Sequence, residues 1–236
     1  MKKKTIRLKG RWVNLIRTAS LDVDPQRGFS ELCPRELPVA GALEIVDELN
    51  RQAQLVKLRV GSKDAHPNKA PWIADFRHPQ LEPITGYKNL DVRWNRHCVP
   101  GTEGFKFLPG LREEAYDFIA YKGIEPSKHP YGACYHDFDD TQSTGLIEFL
   151  RANKIKTVIV GGLATSFCVK KTVLQLCKTK LFNVFVNLAA CRDISGIDTD
   201  ASIKEMIVAG AVMLQNVDEI VNAEEIATGK ETRPKI

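Results

Sequence analysis

Apolar residues in this chain fall into two patterns: short, β-branched blocks, and intervening stretches where they recur every three or four positions. The blocks at 16–23, 55–62, 116–121, 157–160, 183–188 and 211–214 are short and continuous, and they read as buried strands. Between most of them, segments 41–54, 141–153, 166–178 and 199–209 carry helical spacing. In the third of these, Val169, Val173, Leu176 and Cys177 form one buried stripe. Such alternation predicts an α/β domain of three layers (αβα), with a mostly parallel, doubly wound six-stranded sheet. Right-handed crossovers then bring the C-terminal ends of several strands to one edge, where open α/β sheets form their ligand sites.

One connection breaks the pattern. Residues 67–115 show little periodicity and carry Pro67, Pro71, Pro79, Pro83, Pro100 and Pro109. Loops of that length are either functional lids or disordered. Trp72, Trp94, Phe105 and Phe107 favour an ordered lid, because disordered segments are poor in aromatics. The chain therefore divides into a basic N-terminal arm (1–11), one domain (12–222) with a long lid loop, and a polar C-terminal tail (223–236). At 236 residues and 43% hydrophobic content, one α/β domain with a full core accounts for it.

Charge alters this picture little. The formal net charge is +5, but Lys2, Lys3, Lys4, Arg7, Lys9 and Arg11 precede the first acid, and the remainder is close to neutral. The excess reads as a solvated arm rather than a grip on nucleic acid. No apolar stretch is long enough to span a membrane, and the arm lacks the apolar run of a secretory signal, so the expected location is cytoplasmic. Six cysteines without a CxxC pair indicate neither a disulfide framework nor a zinc knuckle. Cys168 and Cys177 lie about 13 Å apart along one helix, too far to be bridged.

Chemistry gathers at the predicted strand ends. Asp24 follows the first strand, Asp64 and His66 the second, Lys122 the third and Cys168 the fourth. Gly161 and Gly162 are expected to end the fourth strand, with Thr165 or Ser166 capping the next helix. Cys168 would then lie in a first helical turn, whose free N–H groups and dipole favour a thiolate and can hold an oxyanion. Asp24 can take and return its proton, and Lys122 can hold the charge. Taken singly, each has an ordinary explanation: a buried apolar cysteine, a loop cap before Pro25, a solvated lysine. Asp64 and His66, two apart on an extended segment, project to one side. With His97 they could form a two-histidine, one-carboxylate set for zinc, iron or manganese. His78, His129 and His136 have no partner motif and read as surface or hydrogen-bonded histidines.

Five ordered segments carry a resemblance: Asp24-Pro25-Gln26-Arg27-Gly28-Phe29, Ser62-Lys63-Asp64-Ala65-His66-Pro67, Trp94-Asn95-Arg96-His97-Cys98-Val99-Pro100-Gly101-Thr102, Lys122-Gly123-Ile124-Glu125-Pro126 and Gly162-Leu163-Ala164-Thr165-Ser166-Phe167-Cys168-Val169. Together they resemble the nicotinamidase (pyrazinamidase) branch of the isochorismatase-like cysteine hydrolases. The resemblance implies a catalytic triad of Asp24, Lys122 and Cys168, with Asp64, His66 and His97 holding one divalent metal ion, zinc before iron or manganese. It also implies a cis peptide between Leu163 and Ala164, an oxyanion hole from the Ala164 and Cys168 N–H groups, and a pyridine ring held between Phe29 and Trp94.

The implied reaction is hydrolysis of nicotinamide to nicotinate and ammonia through a thioester, as in NAD salvage, by an enzyme that is often oligomeric. The rival readings are a hydrolase of another small amide and a non-catalytic binding module on the same fold. The chain departs from the family pattern in two places. Lys69-Ala70-Pro71-Trp72 stands where many members carry His-x-Ser-Phe, and the loop before Trp94 is roughly ten residues longer.

Overall fold

The computed structural model of the chain describes residues 5–225. In chain order its elements are β1 (Thr5–Leu8), β2 (Arg11–Asn14), β3 (Thr18–Val23), α1 (Ile45–Leu55), β4 (Leu58–Asp64), β5 (Phe118–Lys122), α2 (Leu146–Ala152), β6 (Thr157–Leu163), α3 (Lys170–Lys178), β7 (Asn183–Arg192), α4 (Thr199–Val208), β8 (Val212–Leu214), α5 (Asp218–Val221) and β9 (Glu224–Glu225).

Six strands form one sheet in the order β5-β4-β3-β6-β7-β8, and every neighbouring pair is parallel. The chain runs outward from β3 to β5, returns to β6 beside β3, then runs outward the other way. This reversal makes the C-terminal ends of β3 and β6 the topological switch point, where a crevice opens in such sheets. The alternation of side chains along each strand fills a core on each face of the sheet. Val158, Val160, Val184 and Val186 pack with Leu146 and Leu150 of α2, Val173 and Leu176 of α3 and Met206 of α4. Ile159, Phe185 and Leu214 point the other way, into a second core. Ile45 and Leu49 of α1 pack with Leu163 and Ala190 near the C-terminal edge. No helix among the described residues is long and apolar enough to cross a membrane.

The N-terminal segment differs from the solvated arm expected of it. Residues 5–14 form an antiparallel hairpin, with β9 on the other side of β1. Ile6, Leu8 and Val13 are buried against Ile159, Phe185 and Leu214. Burial of each is worth about 1.5–3 kcal/mol, which outweighs the solubility of the basic side chains between them. Lys9 pairs with Glu219, and Arg11 donates to the Gly210 carbonyl. Lys2, Lys3 and Lys4, and the tail from residue 226, lie outside the described residues.

The fourth predicted strand runs on through both glycines to Leu163. Gly162, at φ 134, does not break it. A Cβ there would lie 2.1 Å from the Val23 carbonyl oxygen, so glycine lets β6 pass tightly beside the end of β3. The long connection is ordered. Trp72, Trp94, Leu90, Phe107 and Leu108 are buried in the core that also holds α1, and short bridges tie Ile73 to Trp94 and Pro83 to Val92.

Candidate active site

Asp24 is the first residue past β3. Its left-handed backbone (φ 46) is a conformation that aspartate tolerates better than most residues. Its Oδ1 accepts from the Ser62 hydroxyl at 2.6 Å, and its Oδ2 lies 3.0 Å from Lys122 Nζ. Lys122 closes β5 and is wholly buried. It reaches Cys168 Sγ at 3.6 Å and Asp64 Oδ1 at 2.5 Å. The structure thus brings Asp24, Lys122 and Cys168 together from the ends of three strands. It adds a contact that the sequence did not suggest: Asp64 shares the same ammonium group.

The cysteine turn is built differently from the expectation. Residues Thr165–Val169 form a π-helical turn that leads into α3, and neither Thr165 nor Ser166 caps a helix with its side chain. Their hydroxyls turn instead toward the end of β7 and the residue that follows it. Thr165 donates to the Arg192 carbonyl at 3.0 Å, and Ser166 hydrogen-bonds to Asp193. Asp193 also accepts from the Ser166 N–H (3.2 Å) and the Thr199 hydroxyl (2.8 Å), tying the turn to the start of α4. The Leu163–Ala164 peptide before the turn is cis.

Electrostatics decide which groups carry protons. Burial pushes the Cys168 thiol well above its ordinary range, and Lys122, the strongest opposing influence, does not overcome it. The thiolate expected from the turn alone gives way to a resting thiol. Burial also raises Asp24, against the pull of Lys122 and with a further push from Asp64. Asp64 goes the other way: burial would raise it, but Lys122, then His66, hold it well below the carboxylate range. Lys122 is held well above its usual value, because Asp24, Asp64 and Cys168 together outweigh the cost of burying its charge. The resting cluster is therefore a Lys122–Asp64 ion pair beside a raised carboxyl and a neutral thiol. A raised Asp24 is a stronger base for that thiol than an ordinary carboxylate.

On its other side, Asp64 faces imidazoles. Its Oδ1 lies 3.4 Å from His66 Nε2 and its Oδ2 3.9 Å from His97 Nε2. The outer nitrogens of both rings are anchored on backbone carbonyls, His66 Nδ1 to Gly123 at 3.1 Å and His97 Nδ1 to Asn95 at 2.6 Å. Anchoring of this kind fixes the tautomer and turns Nε2 inward, as at metal sites. His66 Nε2 is buried with no hydrogen-bond partner. Gly123 (φ 68) makes room for that ring, since a Cβ would lie 2.3 Å from His66 Cε1. Gln26 clamps the Asp64 backbone by accepting from its N–H at 2.7 Å and donating to its carbonyl at 2.9 Å. Asp64, His66 and His97 could together hold a divalent cation. Burial and the neighbouring His66 push His97 down to about 3, so its imidazole stays neutral and able to ligate.

A narrow cavity joins the two halves, lined by Phe29, Trp94, Ala164, Phe167, Cys168 and His129 among others. Phe29 stands 5.3 Å from the His97 ring, and Trp94 is perpendicular to Phe167 at 5.1 Å. Trp94 donates its indole N–H to Tyr131, which bonds Asp91 on the long loop.

Of the histidines first read as surface or hydrogen-bonded, His78 pairs with Glu82 on the exposed loop and His136 lies by a shallow surface hollow. His129 does not fit that reading: it is buried beside His66 and His97, and neither ring nitrogen has a protein partner. Gln26, Asp193 and His129 were all missed. Gln26 stood in one of the resembling segments without a role, and His129 lay in the polar stretch that follows Lys122.

Comparisons with known proteins agree with this geometry. The sequence profile of the Isochorismatase domain matches residues 18–217. The nicotinamidase of Acinetobacter baylyi is 30% identical over 86% of this chain and 94% of its own length. The structure of a nicotinamidase/pyrazinamidase from Acinetobacter baumannii superposes with a TM-score of 0.78 at 30% identity, covering 86% of this chain and 97% of that one. The pyrazinamidase of Pyrococcus horikoshii, solved in complex with zinc, superposes with a TM-score of 0.66 at 28% identity, covering 84% and 99%.

Proposed function

The chain belongs to the isochorismatase family, and on that footing we propose that it is a nicotinamidase, hydrolysing nicotinamide to nicotinate and ammonia in the salvage of NAD. The single observation that carries the assignment is the meeting of Asp24, Lys122 and Cys168 around one buried ammonium group, beside a cavity walled by Phe29 and Trp94. The 30% identical nicotinamidase, matched over nearly its whole length, supports the same substrate.

The residues divide the work by position. Phe29 and Trp94 hold the pyridine ring, which puts the carboxamide carbon over Cys168. Asp24 takes the Cys168 proton, and the sulfur attacks that carbon to form a tetrahedral adduct. Lys122 lowers the cost of the charge that passes between Asp24 and Cys168. The adduct's oxyanion rests on the Ala164 and Cys168 N–H groups, each worth about 3 kcal/mol in comparable sites. Asp24 returns its proton to the leaving nitrogen as the C–N bond breaks, and ammonia departs. Water, deprotonated by Asp24, then attacks the thioester. The C–S bond breaks, nicotinate leaves and the Cys168 thiol is restored.

Asp64, His66 and His97 would hold a divalent cation, with zinc favoured by the zinc-bound P. horikoshii relative. When bound, it supplies a Lewis-acidic partner for the pyridine nitrogen, orienting the ring.

The test is ammonia release from nicotinamide, with Cys168→Ala as a control against a contaminating amidase. Turnover that vanishes in the variant supports the assignment. No release from zinc-loaded protein defeats it, and other small amides become the candidates.

A further inference from the structure

Cys98 directly follows His97 and has a backbone conformation that must be held in place. Its φ of 50 is left-handed, a region that costs a non-glycine residue about 1–3 kcal/mol and persists only where surrounding contacts fix it. Two hydrogen bonds do so here. The Cys98 N–H donates to Glu36 Oε2 at 2.8 Å, and the Cys98 carbonyl accepts the His66 N–H at 3.3 Å. One residue therefore joins the backbones of His97 and His66, and a single carboxylate holds it.

Glu36 comes from 62 residues earlier in the chain and is half-buried. Its carboxylate lies against the backbone of Gly28 and Gly104, where a Cβ would come within 2.4 and 2.0 Å of Oε2. Its main chain grips the same segment on the other side of His97. The Glu36 carbonyl accepts from Asn95 Nδ2 at 3.2 Å, and the Asn95 carbonyl in turn anchors His97 Nδ1. The residues that follow it reach the substrate wall: the Leu37 and Val39 N–H groups donate to the Gly28 and Phe29 carbonyls at 3.0 and 3.2 Å.

We propose that Glu36 is a positioning residue for the cation site, its carboxylate fixing the Cys98 peptide and, through it, the geometry in which His97 and His66 face Asp64. This rests on the cation site of the proposed function and adds a residue that touches neither cation nor substrate. Without the accepting oxygen, Cys98 is free to leave its left-handed conformation, which displaces His97 and loosens the bond to the His66 N–H. Loss of outer contacts around a metal site typically lowers affinity by about 10–100-fold.

The test measures ion binding rather than turnover. Metal-free wild type, Glu36→Ala, Glu36→Met, Glu36→Gln, Thr102→Val and His66→Ala would be titrated with Zn²⁺ against a chromophoric chelator. The d–d absorption of each Co²⁺ form would be recorded, with urea unfolding to follow stability. Glu36→Met fills the space beside the glycines without an acceptor, whereas Glu36→Gln keeps an oxygen for the Cys98 N–H. Thr102→Val removes a different hydrogen bond from the same loop, the 2.7 Å contact with the Val99 carbonyl, and so reports what loosening alone does. The expected result is about a tenfold loss of Zn²⁺ affinity and an altered Co²⁺ spectrum in Glu36→Ala and Glu36→Met, with Glu36→Gln and Thr102→Val close to wild type.

Wild-type affinity and spectrum in folded Glu36→Ala or Glu36→Met, with both lost in His66→Ala, would overturn the proposal and leave the cation site standing. An equal loss in Thr102→Val would also overturn it, by reducing the effect to loop stability. Failure of the wild type to bind Zn²⁺ would remove the cation site and the proposal together. Nicotinamide turnover by the zinc-loaded wild type is read separately, so failure of that activity is distinguishable from each of these outcomes.

Discussion

Two buried ionic clusters are built around aspartates two residues apart at the end of β3, Asp22 and Asp24, and they do different things. In the first, Asp22 of β3 meets Arg59 of β4 at 2.7 Å and accepts from the Tyr116 and Ser20 hydroxyls at 2.9 and 3.1 Å. In the second, Asp24 meets Lys122, which also holds Asp64 and reaches Cys168. Burial raises the pKa of both Asp22 and Asp24, so a shifted carboxyl does not distinguish them. The difference is in what is left over. Asp22 is enclosed by donors from β3, β4 and Tyr116, whereas the second cluster ends in a thiol at the wall of a cavity, beside unpaired imidazoles. A buried ion pair becomes a reactive one when a reacting group and a space for substrate complete it.

The sharpest way to break this comparison is to remove the thiol. Cys168→Ala should lower turnover of nicotinamide by about 10⁴-fold or more while leaving the fold intact, because the nucleophile has no substitute. A variant that retains a tenth of wild-type activity would move the chemistry away from this cluster.

The paired substitutions Asp22→Asn and Asp24→Asn should give opposite results. Loss of the Asp22 charge leaves the Arg59 guanidinium, mostly buried, without a counter-charge, and this should cost about 3–5 kcal/mol in urea unfolding. Asp24→Asn leaves Lys122 paired with Asp64, so its stability loss should be smaller while turnover disappears. Equal losses of stability in the two variants would erase the distinction between a structural and a catalytic cluster.

A smaller effect is expected one step from the thiol, at Asp193. Its carboxylate holds the Ser166 N–H and hydroxyl and the Thr199 hydroxyl, and through them the turn that carries Cys168. Asp193→Ala should cost about 1–3 kcal/mol of stability. It should also lower kcat more than it raises KM, because the nucleophile is displaced while Phe29 and Trp94 are untouched. A rise in KM alone would make Asp193 part of the substrate wall.

The same contrast explains what could be read from sequence. All six strands of the sheet and four of the helices were legible, because burial on both faces leaves continuous apolar blocks and amphipathic helices leave a 3.6-residue repeat. The hairpin at residues 5–14 was not. Its apolar residues alternate with lysine and arginine, a period-2 signal that the run of positive charge concealed. Asp24, Lys122 and Cys168 were visible as polar residues closing apolar strands. Asp22 and Asp24, however, are alike in local sequence, and only the tertiary partners Arg59 and Lys122 separate them. Asp193 and Gln26 act through contacts across 27 and 38 residues, a separation that no local pattern records. His129 was dismissed for want of a neighbouring motif, whereas its ring partners, His66, Trp72 and His97, come from just past β4 and from the long loop.

The most delicate test of the comparison is a pH profile. Asp24 must be ionised to accept the Cys168 proton, and burial raises its pKa, so kcat/KM should fall with decreasing pH at a midpoint above that of an ordinary carboxylate. The Ser62 hydroxyl, 2.6 Å from Oδ1, donates to the charged form and works against burial. Ser62→Ala removes that donor, leaves Lys122 in place and should move the acid limb to higher pH, with little change on the plateau. The corresponding change at the closed cluster, Ser20→Ala, removes a 3.1 Å donor from Asp22 and should leave the profile where it was. A limb that moves for Ser20→Ala, or stays put for Ser62→Ala, would show that the titrating group is not Asp24. The division between the two clusters would then have to be drawn elsewhere.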